Sequence, residues 1–202
     1  MKKYIVLLLL ILIGWLVLTY HAHVMQERGA NLVMHAYYGD LIDVKNAVEQ
    51  GAPLHYQFTF EDPSRQYTFQ TFNALQAAAS SGNEDVILFL LEQGMDIDGP
   101  TPDGWTPLFI AARDGQAEAA KLLVFQGANL NAQTNLGSTA LTMVVTQDYP
   151  TEKARLDLLT YMLKRGADPT IEDVYNHTPL YYAEAQQKQD VAKLLREYEP
   201  QS

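Results

Sequence analysis

The chain has 202 residues, 48% of them hydrophobic, with a formal net charge of −10 and no cysteine. That composition supports a folded core and excludes disulfides, thiolate catalysis and cysteine-ligated zinc. The negative surface is repelled by nucleic-acid phosphates and by anionic lipid, whereas a protein carrying a basic patch is readily accommodated.

Lys2 and Lys3 precede an uncharged run from Tyr4 to Tyr20. As a helix this run spans about 25 Å, at the short end of what crosses a bilayer. It reads as a signal peptide or as an uncleaved anchor. Ala22 is available for cleavage, but the bulky Tyr20 lies close to that cut and favours the anchor. The expectation is a cytoplasmic 1–3, a transmembrane helix 4–20 and a juxtamembrane linker 21–29. The lysines would stay in the cytoplasm, so the rest faces the periplasm or the exterior at an inner or plasma membrane. Cleavage would instead release it to the periplasm. Without Lys2 and Lys3 the net charge goes from −10 to −12. His21 and His23 have no nearby carboxylate and make a weak metal site.

From residue 30 onward the chain reads as helix pairs, at 30–56, 73–99, 106–133, 139–170 and 178–198, with a tail at 199–202. The first unit keeps Gly39, Gly51 and Ala52. Ten extra residues follow it, because Gly51 and Leu75 are farther apart than Gly94 and Leu108. In this insertion aromatic and polar residues alternate on both sides of Asp62-Pro63-Ser64, which predicts a β-hairpin. One face would carry Tyr56, Phe58, Phe60, Tyr67 and Phe69. Two readings stand: the face packs on the neighbouring helices, or it forms an exposed aromatic blade for a partner. A six-residue insertion near Asp148 to Lys153 reads as a longer turn within the fourth unit.

The units repeat one another. Leu75, Leu108 and Leu141 are 33 residues apart, and Gly82 and Gly115 share that interval. A second glycine, at 51, 94 and 127, follows twelve residues after the first. Such a period means stacked units, none of which can bury its apolar face alone. The fullest copy runs Asp103-Gly104-Trp105-Thr106-Pro107-Leu108 to Gly115 and ends Gln126-Gly127-Ala128-Asn129. Thr106 suits a helix N-cap and Pro107 the first helical position, an arrangement repeated in Thr178-Pro179-Leu180. Residues of the second helices, such as Val86, Leu90 and Leu91, are apolar at helical spacing. Gly127 and its equivalents fall where a left-handed C-cap favours glycine.

This pattern resembles the ankyrin repeat over about 30–198. The resemblance implies an all-α solenoid of helix pairs with β-turn fingers, one of them an extended β-hairpin. It implies a non-catalytic module without cofactor or small-molecule substrate, binding a protein through finger tips and the groove lined by first helices. The equivalent column here is Tyr37, Ser80, Arg113 and Thr146, with Trp105 and Tyr175 at finger turns. Trp105 reads equally as a buried turn residue. The chain departs from the family pattern after the conserved leucine position, where Val33, Gln76, Phe109, Thr142 and Tyr181 stand in place of histidine. The sequence contains no nucleophile elbow, phosphate loop or His-Glu-x-x-His motif, leaving an enzyme reading without a constellation. Asn176-His177-Thr178 is a formal glycosylation sequon that coincides with a repeat start. Small exported ankyrin proteins of bacteria include accessory proteins of periplasmic enzymes and immunity proteins against secreted toxins, and both remain open.

Overall fold

Short side chains with an oxygen stand at the start of most helices and decide where each begins. The computed structural model describes residues 2–60 and 70–199, with the side chains of 2–13, Phe60 and Gln70 left outside that description. Five helix pairs follow in chain order: α1 (Lys2–Tyr38) with α2 (Leu41–Glu49), α3 (Ala74–Ser81) with α4 (Glu84–Glu92), and α5 (Pro107–Arg113) with α6 (Ala117–Phe125). Then come α7 (Ala140–Thr146) with α8 (Glu152–Lys164), and α9 (Pro179–Ala185) with α10 (Gln189–Tyr198). Thr106, Thr139 and Thr178 each accept the N–H three residues on, at 3.2, 3.3 and 3.2 Å. Asn73 and Gln76 close a reciprocal capping box ahead of α3. Gly127 has φ +93°, the left-handed conformation expected at the close of a repeat. At the mid-repeat position of the last unit, where the third has Gly115, Gln187 takes φ +58° without being glycine.

Apolar residues of successive pairs form one continuous core. Leu32, Leu75, Leu108 and Leu141 are all buried along the first helices, and Leu90, Leu123 and Leu159 along the second. The first helices pack in the order α1, α3, α5, α7, α9. Their ends are aligned by a ladder of side chains just past each first helix, which reach back to the previous repeat. Asn83 Nδ2 donates to the Ala36 and Tyr37 carbonyls at 3.0 and 2.8 Å, and Gln116 Nε2 to the Ser80 carbonyl at 3.3 Å. Tyr149 donates its hydroxyl to the Ala112 carbonyl at 2.8 Å, and Lys188 Nζ donates to the Val145 carbonyl at 2.6 Å. The C-terminal ends of the first helices therefore lie side by side, so these helices run parallel and the fingers that precede them share the opposite edge.

The hairpin forms at its base: β1 (Phe58–Phe60) pairs antiparallel with β2 (Gln70–Phe72). Its register opposes Phe58 to Phe72 and Phe60 to Gln70. The aromatic face expected from sequence thus continues across the base as Phe72, a residue not assigned to it, while Tyr67 and Phe69 lie outside the described residues. Phe72 is buried and Phe58 half-buried against the core. On the other face the Thr59 and Thr71 hydroxyls meet at 3.0 Å in solvent. Tyr56 lies against the backbone of Gly29, where a Cβ would collide with its ring.

The segment 21–29, expected as a linker, is helical and continuous with the first repeat through α1. Among the described residues no helix is long and apolar enough to cross a membrane. Most of the uncharged run 4–20 falls on side chains outside the description. The loop before α8 is more than a longer turn. Arg155, buried to 5% exposure, donates to the Gln147 carbonyl at 2.7 Å, and its guanidinium lies 5.7 Å from the Tyr149 ring centre.

Candidate interaction surface

In four repeats the residue that follows the leucine of the first helix ties down a turn, Gln76 that of the next repeat and the others their own. Gln76 Nε2 donates to the Gly99 carbonyl at 2.9 Å, and Thr142 Oγ1 lies 3.2 Å from Thr139 Oγ1. Phe109 stacks on Trp105 at 5.8 Å, and Tyr181 stacks on His177 at 3.8 Å. Where the family pattern places histidine, these four repeats use four different side chains.

Neighbouring tips are joined largely through backbone. Asn135 N donates to the Asp103 carbonyl at 3.0 Å, and Val174 N to the Leu136 carbonyl at 3.1 Å. The approach is close: a Cβ on Gly137 would lie 2.9 Å from Cα of Asp173. Because backbone makes the joint, the tip side chains are left to solvent. Leu136, Val174 and Tyr175 expose 59%, 56% and 65% of their surface, next to Tyr181. Asp173, buried beneath this patch, accepts the N–H of Tyr175 at 2.8 Å, that of His177 at 3.1 Å and the Tyr182 hydroxyl. Burial alone would raise its pKa, but these three bonds hold the carboxyl below its ordinary value. Loss of water, and then the bond to Asp173, push the Tyr182 phenol up to about 12.

The residues expected to contact a partner fall into two groups. Tyr37 is 38% exposed and Tyr175 stands at a finger tip. Ser80 instead donates to Asp114 Oδ2 at 2.6 Å, and Thr146 to the Thr142 carbonyl at 2.9 Å. Arg113 grips Asp114 with two bonds of 2.8 and 2.7 Å, under the Trp105 ring at 4.6 Å and beside Phe72 at 5.8 Å. Trp105 is therefore half-buried and packed, and the groove column at Ser80, Arg113 and Thr146 is engaged within the protein. Phe58 sits at the packed hairpin base, and Phe60, Tyr67 and Phe69 lie outside the described side chains. Leu136, Val174 and Tyr181 are exposed as well, and no motif marks them in the sequence.

No group of three or more histidine or acidic residues that could hold a metal occurs among the described residues. An open cavity of about 340 Å³ lies on the far edge, lined by Gly39, Gly82, Asn83, Glu84, Asp85 and Val86. It gathers no nucleophile and base.

A solenoid of helix pairs with backbone-linked fingers defines a repeat protein built for surface recognition. Residues 32–134 match the family model described as ankyrin repeats, in three copies, and the chain belongs to that family. It is similar to the B-cell lymphoma 3 protein homolog of Mus musculus, 31% identical over 126 residues, covering 62% of this chain and 27% of that one. It is also similar to the ankyrin repeat domain-containing protein oryK of Aspergillus oryzae, 50% identical over 56 residues, covering 28% of this chain and 9% of that protein. The human ankyrin repeat, SAM and basic leucine zipper domain-containing protein 1 is 30% identical over 106 residues, 52% of this chain and 22% of its own length. The matches thus span about a quarter or less of these relatives. Ankyrin repeats are protein–protein interaction modules.

Proposed function

We propose that this chain is a membrane-held binding protein without chemistry of its own, which docks a protein partner on the finger tips of its last repeats. The observation that carries this reading is the patch Leu136, Val174, Tyr175 and Tyr181, exposed although large and apolar. Tyrosine and aliphatic side chains held on a rigid frame bind at low entropic cost. Glu172 is exposed on the finger of Val174 and Tyr175, and Asp103 on the finger next to that of Leu136; with the overall charge of −10 they favour a basic patch on the partner.

The membrane part rests on the uncharged run 4–20 and on the outer turns of α1. Trp15, Leu16, Val17, Leu18 and Tyr20 each expose more than half of their surface. At 100° per residue these positions surround the helix, which suits lipid on all sides better than a one-sided protein contact. An accessory role toward a periplasmic enzyme fits an outward-facing solenoid; neutralising a secreted toxin is the alternative, and the identity of the neighbouring gene separates the two. Replacing Leu136, Val174 and Tyr175 together by serine tests the docking site. A pull-down from the native host should lose a specific protein while the melting temperature holds. A partner retained in full by the triple variant would reject the tips as the site.

A further inference from the structure

The direction of α1 decides which edge of the stack looks toward the membrane. The inference rests on the anchor reading above. The ladder of Asn83, Gln116, Tyr149 and Lys188 places the C-terminal ends of all first helices on one edge. The fingers, which precede those helices, occupy the other edge. α1 enters the first repeat from that finger side: Gly29 touches Tyr56 at the root of the hairpin, whereas Ala36 and Tyr37, farther along, receive the ladder bond from Asn83. Followed backwards from Gly29, α1 continues without a break to Tyr20 and the uncharged run. Nine residues of helix separate the two points, a rise of about 13 Å. His21, Ala22 and His23 are exposed along this stretch, and contact with the first repeat begins just beyond them.

We infer that α1 is a rigid strut that turns the finger edge toward the bilayer, so that the docking patch faces a protein held in the same membrane. Only His21, Ala22 and His23 separate Tyr20 from the first contact with the repeat, about 6 Å of helix, so the finger edge lies close to the bilayer surface. The enzyme that such an accessory protein would serve is then a membrane-held one, and its juxtamembrane segment is what reaches the tips.

The absence of native cysteine makes the orientation measurable. Full-length chain carrying Asp103→Cys or Glu118→Cys is placed in phosphatidylcholine vesicles and isolated by flotation. Both positions are exposed and belong to one repeat, the first on its finger and the second in the opening turn of α6 at the far edge. A small maleimide should label both at similar rates. A polyethylene-glycol maleimide of protein-domain size, standing in for a soluble globular partner, should label Asp103→Cys several-fold more slowly than Glu118→Cys. Insertion of a flexible Gly-Ser segment after His23 should abolish that difference. Equal rates with the bulky reagent, or slower labelling of Glu118→Cys, overturn the orientation while leaving the anchor standing. A difference that survives the Gly-Ser insertion overturns the strut as its cause. Failure of the chain to float removes the anchor and the inference together.

Discussion

The two edges of the solenoid solve the same problem with different parts of the chain. At the finger edge neighbouring tips are joined mainly by backbone, Asn135 N to Asp103 O and Val174 N to Leu136 O, with Asn135 and Gln133 side chains as supplements. At the far edge the joints are side chains: Asn83, Gln116, Tyr149 and Lys188. A backbone joint leaves residue identity free, so the tips can carry Leu136, Val174 and Tyr175 for recognition. A side-chain joint commits the residue, because a carbonyl at a helix end is left unsatisfied if its donor is removed. The far edge is therefore the costly place to mutate and the finger edge the cheap one.

Tyr149 is the strongest test of the far edge. Its ring fills a partly buried site beside Arg155, and loss of water holds its hydroxyl well above the ordinary phenol range. Tyr149→Ala should cost about 3–5 kcal/mol in urea unfolding, as truncation of a large core aromatic does. Tyr149→Phe keeps the ring and removes only the donor to Ala112; it should cost about 1–3 kcal/mol. A phenylalanine variant as stable as the parent would show that water replaces the joint and would weaken the contrast between the edges.

Gln116→Leu, at a ladder position with a longer bond of 3.3 Å, should lose about 0.5–1.5 kcal/mol. A loss as large as that of Tyr149→Ala would mean that the ladder acts as one cooperative unit.

The finger edge has committed side chains as well: Asn135 Nδ2 donates to the Pro102 carbonyl at 2.9 Å and Gln133 Nε2 to the Glu172 carbonyl at 3.3 Å. Asp173 is committed within its own finger, and its effect should follow pH. Its folded pKa lies below the ordinary 3.8, so its contribution is present above that value and fades as pH falls through the folded one. Tyr182 moves the other way: its raised pKa gives a contribution present below pH 10 and lost as pH rises through about 12. Asp173→Asn should lower stability at neutral pH by about 1 kcal/mol and flatten the acid limb of a stability-against-pH curve. An unchanged acid limb would place the acid sensitivity elsewhere.

The smallest effect is expected at the tips. Val174→Ser with Tyr175→Ser should shift stability by no more than about 0.5 kcal/mol, since both side chains are exposed. A melting temperature lowered by several degrees would show that the tips belong to the core after all.

Much of this was legible in the sequence. The 33-residue interval, the N-cap threonines at 106, 139 and 178 and the closing glycine at 127 are local signals, and each fixed an element where it was expected. The ladder was present too, since Asn83, Gln116 and Tyr149 are themselves 33 apart, but three unlike side chains hide a shared role. The hairpin was foreseen from alternation, yet the pairing of Phe58 with Phe72 had to come from strand register, which shifts a face by one residue at a time.

By itself, then, the sequence determined the repeat, the starts and stops of the helices from α3 onward and the family, because caps, turns and periodicity act over a few residues. Tertiary structure decided which polar and aromatic residues are spent internally. Arg113 reads as a groove contact until Asp114, Trp105 and Phe72 are seen around it. Leu136 and Val174 carry no local signal of exposure, and only the folded fingers place them in solvent. Burial and pairing depend on what the neighbouring repeat brings into contact, and stacking sets that only when the chain is folded.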